Sequence, residues 1–248
     1  MKILIIRHGE PDYSIDSLTE KGWREAELLA DRLARLDIRD FYCSPLGRAR
    51  DTARPTMRRL GREDDLTILP WLREFHGAVV SPFEERKRIP WNLMPQFWTK
   101  QPELFLRDGW LEHPLMRTGD VARVYRETQE GLDALLAGYG YTRDDLIFRC
   151  ERNITDTIAL FCHFGLGMAI ASLLTGTPLP LLWQGFFMPT SSVTTFVTEE
   201  RLPGEVFFKC MQLGDTSHLY AAGEPVSRSG LFHESLEAEK AGDVNEAR

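Results

Sequence analysis

Ile3-Leu4-Ile5-Ile6 is an apolar run with no polar alternation, and it stops abruptly at Arg7-His8-Gly9. Such a run fits a strand buried on both faces, which needs a sheet with helices covering each side. The stop places a cation, an imidazole and a glycine just past a central strand. In open α/β sheets that edge is where ligands bind.

The next segments repeat the alternation. Thr19 is a suitable N-cap, and Trp23, Ala26, Ala30, Leu33 and Leu36 follow at helical spacing. Residues 38–43 read as a second strand, Pro45 as the start of a helix to about Leu60, and residues 67–69 as a third strand. This order is that of a doubly wound α/β domain. A further helix is expected over 119–136. A strand over 157–162 ends at His163-Phe164-Gly165, a helix runs to Leu174, and a hairpin turns around Pro203-Gly204. Residues 77–116 break the pattern with five prolines and the tryptophans Trp91, Trp98 and Trp110. They read either as a cap over one end of the sheet or as an irregular excursion that only covers core. One domain over 1–225 is expected, with a polar, flexible tail over 226–248.

Composition narrows the function classes. The chain of 248 residues has a formal net charge of −7, which disfavours nucleic acid as a partner. No run of about 18 apolar residues marks a membrane span. The apolar stretch before Arg7 is too short for a signal-peptide core. Cys43, Cys150, Cys162 and Cys210 form no C-x-x-C pair, so zinc and redox motifs are unsupported and small buried thiols in a reducing cytoplasm are expected. No metal and no cofactor is called for.

Two histidines occupy equivalent places, His8 after the first strand and His163 after a later one. Arg7 and Arg48, the latter in the first turn of a helix, add positive charge at the same sheet edge. Gly9 and the Phe164-Gly165 turn can bring backbone N–H groups close to a ligand. Glu74, just past the third strand, reads either as an ion-pair partner of the arginines or as a general acid. The sum is a site for a small dianionic phosphoryl group.

These residues resemble the histidine phosphatase superfamily, also called phosphoglycerate mutase-like. The likeness lies in Arg7-His8-Gly9, in Ser44-Pro45-Leu46-x-Arg48-Ala49-x-x-Thr52-Ala53, in Leu72-x-Glu74 and in His163, in that order. The resemblance implies a three-layer α/β/α sandwich with a mostly parallel central sheet and an inserted cap. It implies that His8 attacks phosphorus to form a phosphohistidine, while Arg7, Arg48 and His163, the last most useful when protonated, hold the equatorial oxygens. Glu74 would protonate the leaving group and then activate water. Phe164 follows the second histidine where the superfamily's second branch has an aspartate, so the first branch is implied. Ser14 stands where the family's mutases have an asparagine that contacts phosphate, and phosphatase is favoured over mutase. A phosphomutase and a catalytically silent phosphoester-binding protein remain the alternatives. The expected partner is a small phosphorylated substrate, with no membrane or nucleic acid, and a homodimer is compatible with the sequence.

Overall fold

The computed structural model describes residues 1–83 and 86–232. Its main sheet uses strands β1 (Lys2–Arg7), β2 (Asp40–Cys43), β3 (Leu66–Ile68), β4 (Thr142–Asp144), β5 (Ile147–Arg149), β6 (Thr157–Cys162), β7 (Val193–Leu202) and β8 (Glu205–Asp215). Among the described residues they form an eight-stranded sheet of order β3-β2-β6-β1-β7-β8-β5-β4. The ladders from β3 to β1 are parallel, and those from β1 through β7, β8 and β5 to β4 are antiparallel. The parallel half carries the residues singled out above.

Among the described residues six helices flank the sheet: α1 (Glu20–Leu33), α2 (Gly47–Leu60), α3 (Val121–Ala137), α4 (Phe164–Thr175), α5 (Leu179–Gly185) and α6 (Ser217–Ala222), with a short turn of helix at Pro95–Trp98. β1 shows why the fold has three layers. Ile3 and Ile5 point into one core with residues of α3, α4 and α5. Leu4 and Ile6 point into a second core with Leu29, Leu33, Ala53 and Met57 of α1 and α2. Successive side chains of a strand face opposite sides, so an unbroken apolar run feeds both cores.

Thr19 caps α1 by accepting a hydrogen bond from Gly22 N at 3.0 Å. Helix α2 starts two residues after Pro45, because Ser44 Oγ takes the Leu46 N–H and closes a turn first. Helices α5 and α6 and strand β4 went unread in the sequence, being short and weakly periodic, whereas the apolar residues 146–148 read as a strand and fall largely on β5. Cys43 and Cys162 are buried as expected, whereas Cys150 is half-buried and Cys210 is exposed on the outer part of β8. No described helix is long and apolar enough to cross a membrane.

The excursion over 77–116 divides its roles. Trp110 is core, packed edge-on against Tyr125 of α3 and Trp183 of α5. Trp98 packs on Phe105 at the periphery, and Trp91 reaches the sheet edge near His163. The first residues of the expected tail are also packed: Ser227 is buried and donates to Glu10 Oε2 at 2.5 Å. The remainder of that tail, 233–248, lies outside the described residues.

Candidate active site

Strand register assembles the site. Arg7 pairs with Cys162, Phe161 with Cys43, and Cys43 with Ile68. The residues that follow, His8, His163 and Ser44, therefore emerge side by side at one edge. The rings of His8 and His163 lie 5.2 Å apart between centroids. Both are shut from solvent, at 2% and 0% exposure.

The hydrogen bonds assign the protons. His8 Nδ1 donates to the Gly9 carbonyl at 2.7 Å, which leaves the Nε2 lone pair available for attack. Burial, then the charges of Arg7 and Arg48, hold the His8 pKa well below that of an ordinary histidine, so the ring is neutral. Ser44 Oγ accepts from Leu46 N, so its own proton can go to His163 Nε2, 2.7 Å away. The His163 proton then sits on Nδ1, a buried atom with no partner among the described residues. Burial, then His8 and the arginines, lower the His163 pKa well below that of an ordinary histidine, so this ring too is neutral with no anion beside it. An approaching anion would reverse that balance.

The arginines are held by their own chain. Arg7 donates from Nη1 to Met188 O at 2.7 Å and from Nη2 to Ser229 O at 3.1 Å. Gly230 lies against the same guanidinium, where a Cβ would stand 2.7 Å from Nη2. Arg48 pairs with Asp16 at 2.6 Å, and Asp16 also accepts the Gly47 N–H. The positive start of α2, read from sequence as part of an anion site, is thus taken by a carboxylate of the loop after β1. The buried Nε atoms of both arginines have no partner among the described residues.

Glu74 caps the start of α4. Its Oε1 accepts from Phe75 N at 2.8 Å and Leu166 N at 3.0 Å. Burial raises its pKa above that of an ordinary glutamate, and the two N–H bonds with Arg48 and Arg7 only partly oppose this. Trp91 supplies part of that burial. A Cβ on Gly165 would meet the Trp91 ring at 2.4 Å and Glu74 Oε1 at 2.9 Å, so indole and carboxylate press on the same point and only glycine fits between them. Phe164 packs on Trp91 and Phe187, with Arg7 over its ring at 5.9 Å.

Arg7, His8, Arg48, Glu74 and His163 therefore converge. Gly9 does not offer its N–H to the site, because that group donates to Thr52 Oγ1 at 2.9 Å. Ser14 is exposed, and its hydroxyl is tied to Asp12 at 2.6 Å. Sequence reasoning passed over the roles of Ser44 and Asp16, whereas it read the turn over 189–193, with its hydroxyls and amides near the sheet end, either as support for the site or as a plain strand start. That turn holds the site from behind: Ser191 N donates to His8 O, and Arg7 N donates to Ser192 O. Ser44 and Asp16 lie in the motif and in the loop after β1, but a hydroxyl beside a proline and an aspartate in a turn signal only local structure. Among the described residues no group of three or more His, Cys, Asp or Glu side chains could hold a metal ion.

Known proteins resemble this chain in sequence and in fold. A Thermoplasma acidophilum 2,3-bisphosphoglycerate-dependent phosphoglycerate mutase is 47% identical over 64 residues, which cover 21% of this chain and 32% of that protein. A probable phosphoglycerate mutase GpmB of Serratia proteamaculans is 29% identical over 59% of this chain and 73% of its own length. The chain thus spans under a third of the first of these relatives and most of the second. Among solved structures, phosphoserine phosphatase of Entamoeba histolytica superposes with a TM-score of 0.58 at 18% identity, covering 88% of this chain and 98% of that one. The sequence profile of the histidine phosphatase superfamily (branch 1) matches residues 3–138. With its α/β fold and the convergence of Arg7, His8, Arg48, Glu74 and His163 at one strand edge, the chain belongs to branch 1 of the histidine phosphatase superfamily.

Proposed function

We propose that the protein is a metal-independent phosphomonoesterase that works through a phosphohistidine on His8. The observation that carries this reading is the set of buried donor atoms without partners among the described residues, Arg7 Nε, Arg48 Nε and His163 Nδ1, around a neutral imidazole whose Nδ1 proton is held by Gly9 O. Buried polar atoms are normally paired, and a phosphoryl group supplies acceptor oxygens for all three. In-line attack by Nε2 would place negative charge where these donors already point. Glu74, kept protonated by its burial, would give its proton to the departing alkoxide and take one back from the attacking water.

The test is phosphate release from a panel of phosphomonoesters in EDTA, with rapid quench for acid-labile, base-stable phosphoprotein. His8→Ala should abolish both signals. Turnover that survives in His8→Ala overturns the mechanism. Bisphosphate-stimulated transfer between two hydroxyls, with little net phosphate, would replace hydrolysis by the mutase activity that the names of two relatives carry.

A further inference from the structure

The reacting imidazoles are sealed, yet Glu74 keeps part of its surface. That surface opens on a groove of about 340 Å³ between residues 70–76 and the first half of α3. Trp71, Phe75, Val124 and Leu166 form apolar walls, and Arg73 and His76 stand exposed at the rim. The Trp71 ring is fixed against α3, where a Cβ on Gly131 would meet it at 2.4 Å. Glu127, the nearby acid on α3, is neutralised by Arg123 at 2.6 Å. The Arg73 guanidinium makes no hydrogen bond or ion pair among the described residues.

The chemistry ties this groove to the site. A general acid must lie within hydrogen-bond reach of the leaving oxygen. Glu74 Oε1 is occupied by two backbone N–H groups, so Oε2 is the atom that can deliver the proton. The carbon skeleton attached to the leaving oxygen must then continue into space that touches Glu74. The groove supplies that space, about twice the 150 Å³ cavity that takes up benzene.

Resting on the phosphatase reading, the geometry points to this groove as the subsite for the alcohol half of the substrate. It would select phosphomonoesters of planar, apolar alcohols that carry an anionic group, with the ring between Trp71 and Phe75 and the anion at Arg73.

The experiment compares steady-state kinetics on 4-carboxyphenyl phosphate, phenyl phosphate and methyl phosphate in the full chain. Arg73→Met should raise KM for the carboxylated ester about tenfold and that for phenyl phosphate less than about twofold, with kcat little changed. His76→Trp, which narrows the mouth, should raise the phenyl-to-methyl KM ratio. Both substitutions are at exposed positions, and unchanged thermal melting would show that the fold is kept. Equal shifts for all esters, or none, overturn the subsite while leaving the phosphatase reading intact. Absence of phosphate release from every ester by the unaltered protein overturns that reading, and the subsite with it.

Discussion

Ser44 shows how a single hydroxyl sets the protonation of a reaction centre. It is fully buried, takes an N–H from Leu46 and faces His163 Nε2. Ser44→Ala should free the His163 tautomer and lower kcat/KM about tenfold, near the 1.4 kcal/mol of a lost neutral hydrogen bond, with thermal melting showing that the fold survives. Glu74 gives a sharper test. Its proton matters only where the leaving group is a poor one. Glu74→Gln should cut turnover of an alkyl phosphate by roughly 10²–10⁴-fold. With p-nitrophenyl phosphate the same variant should show a burst of one p-nitrophenolate per site and then slow turnover, since hydrolysis of the phosphohistidine still lacks its base. Stopped-flow absorbance reads both. The signs of the pKa shifts fix the pH profile. His8 must be neutral, so activity rises as pH passes its lowered pKa; Glu74 must be protonated, so activity falls as pH passes its raised pKa. The optimum for alkyl esters should therefore lie between these two limbs, and Glu74→Gln should remove the alkaline one. Trp91→Ala lets water reach Glu74, which lowers that pKa and should move the alkaline limb of kcat/KM to lower pH. A limb that stays in place would show that the indole does not desolvate the acid.

Elements rather than residues explain what could be read in advance. β1, β2, β6, α1, α2 and α4 were legible because their apolar periods are strong and their ends carry caps, turns or glycines. The five converging residues were legible because each follows a strand or opens a helix, and strand ends are where such folds bind ligands. What escaped was fixed by tertiary contact. The carboxylate of Asp16 sits on the start of α2 and on Arg48, and no local pattern in Asp12–Ser17 announces that. Gly9 reads as a ligand-facing glycine, but Thr52, 43 residues on, takes its N–H. Likewise the residues after Ser227 read as free tail, yet Ser229 reaches Arg7. The strand that builds both cores should be the least tolerant element. Ile5→Ala, fully buried, should cost about 2–5 kcal/mol of unfolding free energy. Val226→Ala, at an exposed site, should cost less than about 0.5 kcal/mol. Urea titration compares the two.

At the scale of the whole molecule, charge and site have opposite signs. The chain carries −7 overall, while Arg7 and Arg48 dominate the strand-end edge. A small anion approaching that edge meets a local field that the net charge does not describe. Association should slow with added salt for a doubly charged ester more than for a neutral competitor, as followed by kcat/KM against ionic strength.

The placement of β1 has a consequence for how the molecule comes into being. It precedes both of its sheet partners along the chain and lies in the interior of the sheet, between Thr157–Cys162 and Val193–Val197. Its apolar run must stay unpaired until most of the chain has followed, and the loops it closes are long. Such topology makes for slow folding and for a sticky intermediate that chaperones would recognise. Refolding from urea should be slower than that of a helical protein of equal length, and aggregation during refolding should fall when Ile3 or Ile5 is replaced by a smaller apolar residue, even though the native state is then less stable.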